Sequence, residues 1–371
     1  MKNILVFGMT DNPGGVESFI VNYYRNIDRT KIHCDFLCNF FEKCAYEDEL
    51  TAMGSKVYHI PARHKNVVRY ERHLDAFFRE HASEYDILWV NVCSLANIDY
   101  LDKGKKYGIP VRIIHSHNAQ NMDSFLRGTL HQANKFRIAG IATDFWACEE
   151  DAAHWFYNDT LLKKAVIIRN AIDADKMTFD PDKRDNHRRQ VGVEDKFVIG
   201  NIGRLHFQKN QAFAMECLHE YLKINPDAVL LLVGQGMDEE KLHAKALELG
   251  IQDKVIFTGK QFDIQGWLSA MDFFIFPSVF EGLGMAALEA QANGLPVLAT
   301  KGDIPYELKV LPNFAFKPLE DGAAAWARQI EEMRLHKGER IEPATIKRLF
   351  KRCGYDIHTE AKKLEERFEH M

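Results

Sequence analysis

Phe273-Phe274-Ile275-Phe276-Pro277-Ser278-Val279-Phe280-Glu281-Gly282-Leu283-Gly284-Met285-Ala286-Ala287-Leu288-Glu289-Ala290 is the stretch on which the fold turns. Four apolar residues without polar alternation read as a strand buried on both faces. Pro277 and two glycines then close a loop, and Met285 to Ala292 consists of strong helix formers. Strand, loop and helix in this order form one unit of a parallel α/β sheet, and such sheets take their ligands beyond the carboxyl ends of the strands. Glu281 and Glu289 stand just over two helical turns apart, so a helix that began early would set both carboxylates on one face. Carboxylates accept hydrogen bonds from vicinal hydroxyls, as in a sugar or a ribose. The N–H groups of Gly282, Leu283, Gly284 and Met285 would be free at the helix N-terminus to meet phosphate oxygens. The plainer reading, two first-turn or surface charges, leaves the coincidence of loop, spacing and strand end unexplained.

The same alternation runs outward in both directions. Strands are expected at 4–7, 33–37, 86–92, 111–114, 145–148 and 166–168, and again at 197–202, 228–233, 255–257, 273–276 and 296–300, with helical patterns between them. The fold class is therefore α/β, two Rossmann-like domains, which would form a cleft where they face each other. From Asp173 to Asp195 charge is everywhere and apolar periodicity is weak, which predicts a linker. The expected domains are 1–175 and 176–345, followed by a C-terminal helical segment, 346–371, packing back toward the N-terminal domain.

Three further loops sit where ligands should collect. Phe197 to Ile202 leads into Gly203-Arg204-Leu205-His206-Phe207-Gln208-Lys209-Asn210, placing Arg204 at a strand end and Lys209 at a helix start, a geometry that suits a diphosphate. A solvated Arg and Lys is the bland alternative. After the first strand, Gly14-Gly15 opens a helix and lets backbone N–H groups approach an anion; the pattern is not GxGxxG and argues against a dinucleotide fingerprint. His115-Ser116-His117-Asn118 ends another strand, and without a third ligand nearby its histidines read as neutral hydrogen-bonding groups.

Composition narrows the function. The chain has 371 residues, 46% hydrophobic and 27% charged, enough for two to three domains with cores of their own. Its net charge of −5 argues against nucleic acid as partner. Seven cysteines are an odd number, and Cys34, Cys38 and Cys44 match no zinc spacing, so a reducing, cytoplasmic setting is expected. The N-terminus shows no cleavage signal and no stretch reaches 18 apolar residues, which predicts a protein neither exported nor membrane-spanning. Residues 63–79, RHKNVVRYERHLDAFFR, set Val67, Tyr70, Leu74, Phe77 and Phe78 on one helical face with basic flanks. That helix serves either as an ordinary buried-face helix or as a peripheral contact with anionic lipid at the inner face of a membrane.

Taken together, Glu281-x7-Glu289, Gly203-Arg204-x4-Lys209-Asn210, Val233-Gly234-Gln235-Gly236, Asn170-Ala171-Ile172-Asp173 and Gly14-Gly15 resemble glycosyltransferase family 4, retaining enzymes of the GT-B fold. The His115 to Asn118 and Ala147 to Glu150 segments look most like bacterial capsule, exopolysaccharide and O-antigen enzymes. The resemblance implies transfer of a hexose or N-acetylhexosamine from a nucleotide sugar, by base rate UDP-linked, to a glycan or lipid-linked glycan, with no cofactor and no metal. It also implies roles. Arg204 and Lys209 neutralise the donor diphosphate with the Gly15 backbone, and Glu281 contacts the transferred sugar. Glu289 holds the ribose, the base lies near Gly259, and His117, or less favourably His115, lines the sugar site. Glu149 and Ala171 depart from the family pattern, which has Ser and Gly there more often. A nucleotide-sugar 2-epimerase and a non-catalytic GT-B partner subunit are the competing functions.

Overall fold

The structure, a computed structural model, describes residues 1–118, 125–302, 304–337 and 339–371. Its strands are β1 Lys2–Phe7, β2 Ile32–Cys38, β3 Val57–His59, β4 Ile87–Val92, β5 Val111–Ser116, β6 Asp144–Ala147, β7 Val166–Ile167, β8 Phe197–Ile202, β9 Ala228–Val233, β10 Val255–Phe257, β11 Phe273–Phe276, β12 Val297–Thr300 and β13 Phe314–Lys317. Among the described residues they form two sheets, ordered β3-β2-β1-β4-β5-β6-β7 and β10-β9-β8-β11-β12-β13. Every strand pairing is parallel.

Each sheet is buried on both faces, which is why its strands read as unbroken apolar runs. Along β1, Ile4 and Val6 belong to one hydrophobic layer and Leu5 and Phe7 to the opposite one. Along β8, Val198 and Ile202 face one layer and Ile199 the other. Burying one such side chain contributes about 1.5–3 kcal/mol. In each sheet the chain winds outward from a central strand and then returns to its other side. The two reversals lie between β1 and β4 and between β8 and β11, so each sheet has one crevice at the carboxyl ends of those pairs.

The chain divides into one unit of Met1–Ala171 with Ile357–Met371 and a second of Ile172–Asp356. The boundaries expected at 175 and 345 thus fall at 171 and 356. The expected tail helix is two helices, Pro343–Cys353 in the second unit and Ile357–Glu369 in the first, separated by Gly354 at φ 78°. That left-handed turn ends the first helix. Helix Ile357–Glu369 buries Ile357, Ala361, Leu364 and Phe368 in the first unit, with the Phe368 ring 5.4 Å from Trp89 and 5.5 Å from Trp146.

The linker expected over 173–195 contains a helix, Pro181–Val191, capped by the Asp180 side chain and closed by Gly192 at φ 69°. Buried polar contacts anchor it within the second unit. Arg184 and Arg188 each reach the Asp272 carboxylate at 2.5 Å, and both donate to carbonyls around it. Apolar periodicity could not reveal an element fixed in this way. The edge strands β3 and β13 were not expected from the sequence. In the 63–79 region the helix is Val67–His81, started by the Asn66 side chain, and it buries Tyr70, Leu74, Phe77 and Phe78. Val67, expected on that face, is instead 54% exposed at the first turn.

Candidate active site

In the second unit, the loops after β8 and β11 are joined by backbone and amide contacts. Val279 N–H donates to the Gln208 carbonyl at 2.8 Å and the Gln208 amide donates to the Phe280 carbonyl at 3.1 Å. The Gln211 amide fixes the Arg204 carbonyl at 3.0 Å. The loop after β9 closes in from the side because Gly234 has no side chain: a Cβ there would lie 2.0 Å from the Gly203 oxygen. Gly234 N–H in turn donates to the Gly259 carbonyl at 3.0 Å, so the strand end carrying Gly259 belongs to the same loop cluster.

This joining brings Lys209 and Glu281 together, with Nζ 2.6 Å from Oε1 and the side chains 18% and 7% exposed. The Lys209 ammonium also lies 5.4 Å from the Phe276 ring centre. Arg204 differs. It is exposed, and its guanidinium has no hydrogen-bond or ion-pair partner among the described residues. One cation of the expected pair is therefore committed to a carboxylate and the other is available.

The two glutamates do not share a helical face. Gly284 takes φ 89° as N-cap, so the helix begins at Met285 and Glu281 remains in the loop while Glu289 lies on the helix. The left-handed residue at 284, which a side chain would crowd against Phe276, sets that start. Consequently the N–H groups of Gly282, Leu283, Gly284 and Met285 donate to no described residue and converge at a helix N-terminus. Glu289 is partly buried and its carboxyl has no hydrogen-bond partner among the described residues; burial pushes its pKa up to about 7. A half-protonated carboxyl without a donor of its own is ready to receive hydroxyl groups.

In the first unit, the crevice between β1 and β4 carries the remaining predicted residues. Gly14 is the N-cap of helix Gly15–Asn26, and the Gly15 N–H donates to no described residue. The Glu17 carboxylate, which the sequence reading passed over, ties this turn by accepting from Gly14 N–H at 3.0 Å and from the Thr10 hydroxyl at 2.6 Å. Burial raises the pKa of Glu17. Its spacing of three from the N-cap was the available signal. His117 follows β5 and is partly exposed, with Nε2 2.9 Å from Asn91 Oδ1. His115 lies fully buried beside it, ring centres 4.2 Å apart. Of the two, only His117 reaches the surface. Desolvation holds His115 well below the usual histidine range and His117 down at about 3, so both rings are neutral near pH 7. Asn91 and Gln208 were also missed, because long-range partners leave no mark on local sequence.

A family model described as "Glycosyl transferases group 1" matches residues 182–333, the segment carrying Arg204, Lys209, Gly259, Glu281 and Glu289. The chain is 26% identical over 351 residues to EpsF of Bacillus subtilis (strain 168), assigned there as a glycosyltransferase, covering 93% of this chain and 90% of that protein. It is 32% identical over 142 residues to the UDP-Gal:alpha-D-GlcNAc-diphosphoundecaprenol alpha-1,3-galactosyltransferase of Escherichia coli, covering 37% of this chain and 36% of that one. In structure it is similar to Anabaena Alr3699/HepE, crystallised with UDP and glucose, at a TM-score of 0.81 and 19% identity over the whole of both chains. It is also similar to the lipopolysaccharide glycosyltransferase WaaG, at 0.72 and 17% over 98% and 99% of the two chains. Two Rossmann-like parallel-sheet units and full-length likeness to these structures show the GT-B fold, and the group 1 glycosyltransferase match lies in its second unit.

Proposed function

We propose that the protein transfers a hexose or N-acetylhexosamine from a UDP-sugar to a glycan or lipid-linked glycan in cell-surface polysaccharide assembly, with retention of anomeric configuration and without a metal or other cofactor, as a family 4 enzyme. The observation that carries this reading is the joined β8 and β11 loops, where a partnerless guanidinium, a Lys209–Glu281 pair and four free N–H groups occupy one strand-end crevice. UDP in the HepE crystals and the diphosphoundecaprenol-linked acceptor in the name of the Escherichia coli relative support the donor and acceptor classes.

In this reading the diphosphate lies against Arg204 and the N–H groups of Gly282 to Met285. Negative charge grows on the leaving phosphate as the anomeric C–O bond breaks, and these preorganised donors stabilise it. Glu281, held by Lys209, faces the transferred sugar; Glu289 takes the ribose hydroxyls; the base lies near Gly259; His117 lines the sugar site. The acceptor oxygen attacks from the side the leaving group vacates, and its proton passes to the departing phosphate oxygen, so the new bond keeps the old configuration. Incubation with a panel of nucleotide sugars, with the product's anomeric configuration read by NMR, tests the reaction. Activity should survive EDTA; complete loss reversed by Mg²⁺ or Mn²⁺ removes the metal-free part of the reading.

For an acceptor held at a lipid surface, residues 63–79 are the proposed peripheral contact. No helix among the described residues is long and apolar enough to cross a membrane. Val68 is 71% exposed, and Arg69 and Arg72 are exposed beside it. Helix Phe125–Arg137 adds a second such face, exposing Phe125, Leu126 and Phe136 while burying His131 and Asn134, with no acidic residue along its length. The protein should float with anionic vesicles at low salt and be released by Arg69→Glu with Arg72→Glu. Equal recovery with neutral and anionic vesicles rejects the contact.

A further inference from the structure

We propose that Asn91 is a positioning residue that fixes the tautomer of His117 and so presents its Nδ1 as a hydrogen-bond acceptor to a hydroxyl of the transferred sugar. The inference rests on the transferase reading for the identity of that hydroxyl, and on the geometry for everything else.

Asn91 lies at the end of β4, next to β1, and is 1% exposed. Its amide nitrogen is 3.4 Å from the carbonyl oxygens of Phe7 and Trp89, both pure acceptors, so the NH2 end must point at them. The oxygen then faces the other way, 2.9 Å from His117 Nε2. An amide oxygen can only accept, so Nε2 carries the proton, and a neutral imidazole has just one N–H. The lone pair is therefore on Nδ1, which has no hydrogen-bond partner among the described residues.

Packing keeps the ring in this orientation. The ring centres of Phe19 and His115 stand 4.9 Å and 4.2 Å from that of His117. His115 accepts from Trp89 Nε1 through its Nδ1 at 3.3 Å, so it too is neutral and places no charge against its neighbour. Asn91 can come this close to β1 only because residue 8 is glycine at φ 138°: a Cβ there would lie 2.6 Å from the Asn91 backbone carbonyl oxygen and 2.7 Å from its Cβ. A buried amide whose hydrogen bonds end on a partly exposed histidine does not merely fill space; it selects one of two chemically different faces for the ring.

The tautomer is read directly from ¹⁵N-histidine-labelled protein, with the His117 ring signals assigned by their loss in His117→Phe. The expected result is a protonated Nε2 and a lone-pair-bearing Nδ1 in the wild type, and a mixture of tautomers in Asn91→Leu. Kinetically, Asn91→Leu should lower kcat roughly ten- to hundred-fold with the affinity for free nucleoside diphosphate unchanged, a split that simple loss of folding would not produce. His117→Asn, whose amide oxygen can sit where Nδ1 sits, should keep more activity than His117→Gln. A protonated Nδ1 in the wild type, an unchanged kcat in Asn91→Leu, or the reverse order of the Asn and Gln variants overturns the proposal. Absence of nucleoside diphosphate binding in the wild type would count against the transferase reading alone, because the tautomer is measured without ligand.

Discussion

The Lys209 ammonium lies 2.6 Å from the Glu281 carboxylate, and both side chains are largely shielded from water. The pair links the loop after β8 to the loop after β11, so removing one partner strands the charge of the other. Lys209→Ala is expected to destabilise the second unit by about 3 kcal/mol in chemical denaturation, as breaking a buried ion pair does. Lys209→Met combined with Glu281→Gln should recover most of that stability and none of the turnover. Full activity in the double variant would show that the pair is structural only.

Glu289 sets stability against binding. Its carboxyl keeps a proton in the folded protein up to about pH 7, whereas in the unfolded chain it releases the proton near 4.5. Stability therefore falls as pH rises from 4.5 to 7 and levels off above, a difference of about 3 kcal/mol. Glu289→Gln removes that penalty, so it should be more stable than wild type at pH 8, equal at pH 4, and weaker in nucleoside diphosphate binding. Paired urea melts at the two pH values check the sign.

Phe368 anchors the C-terminal helix among Trp89 and Trp146. Phe368→Ala should cost about 3–5 kcal/mol by leaving a cavity under the first sheet. Loss of the near-ultraviolet tryptophan signal at lower urea than in wild type is the expected readout; an unchanged midpoint would mean the helix adds little.

Strand cores and strand-end motifs could be read from sequence because both are local. Phe273 to Phe276 is apolar whichever face is examined, and the glycines at 282 and 284 announce a loop before a helix. What escaped depends on partners far along the chain. Helix Pro181–Val191 looks like a linker because its anchors, Arg184 and Arg188, find Asp272 some eighty residues later. Glu281 looks helical by spacing until Gly284 adopts its left-handed turn. Lys209 looks like a free cation until Gln208 and Val279 join two loops and deliver Glu281 to it. Asn91 carries no motif at all; only the carbonyls of Phe7 and Trp89 give its amide a direction.

The central claim is that the crevice at the ends of β8 and β11 holds a nucleoside diphosphate through Arg204 and the free N–H groups of Gly282 to Met285. Calorimetric titration of wild type and Arg204→Ala with UDP and the other nucleoside diphosphates tests it most directly. UDP should bind the wild type, and Arg204→Ala should bind it roughly ten- to hundred-fold more weakly, the loss of one charge-assisted contact of about 1.5–3 kcal/mol. Failure of every nucleoside diphosphate to bind, or equal affinity in Arg204→Ala, would contradict the account.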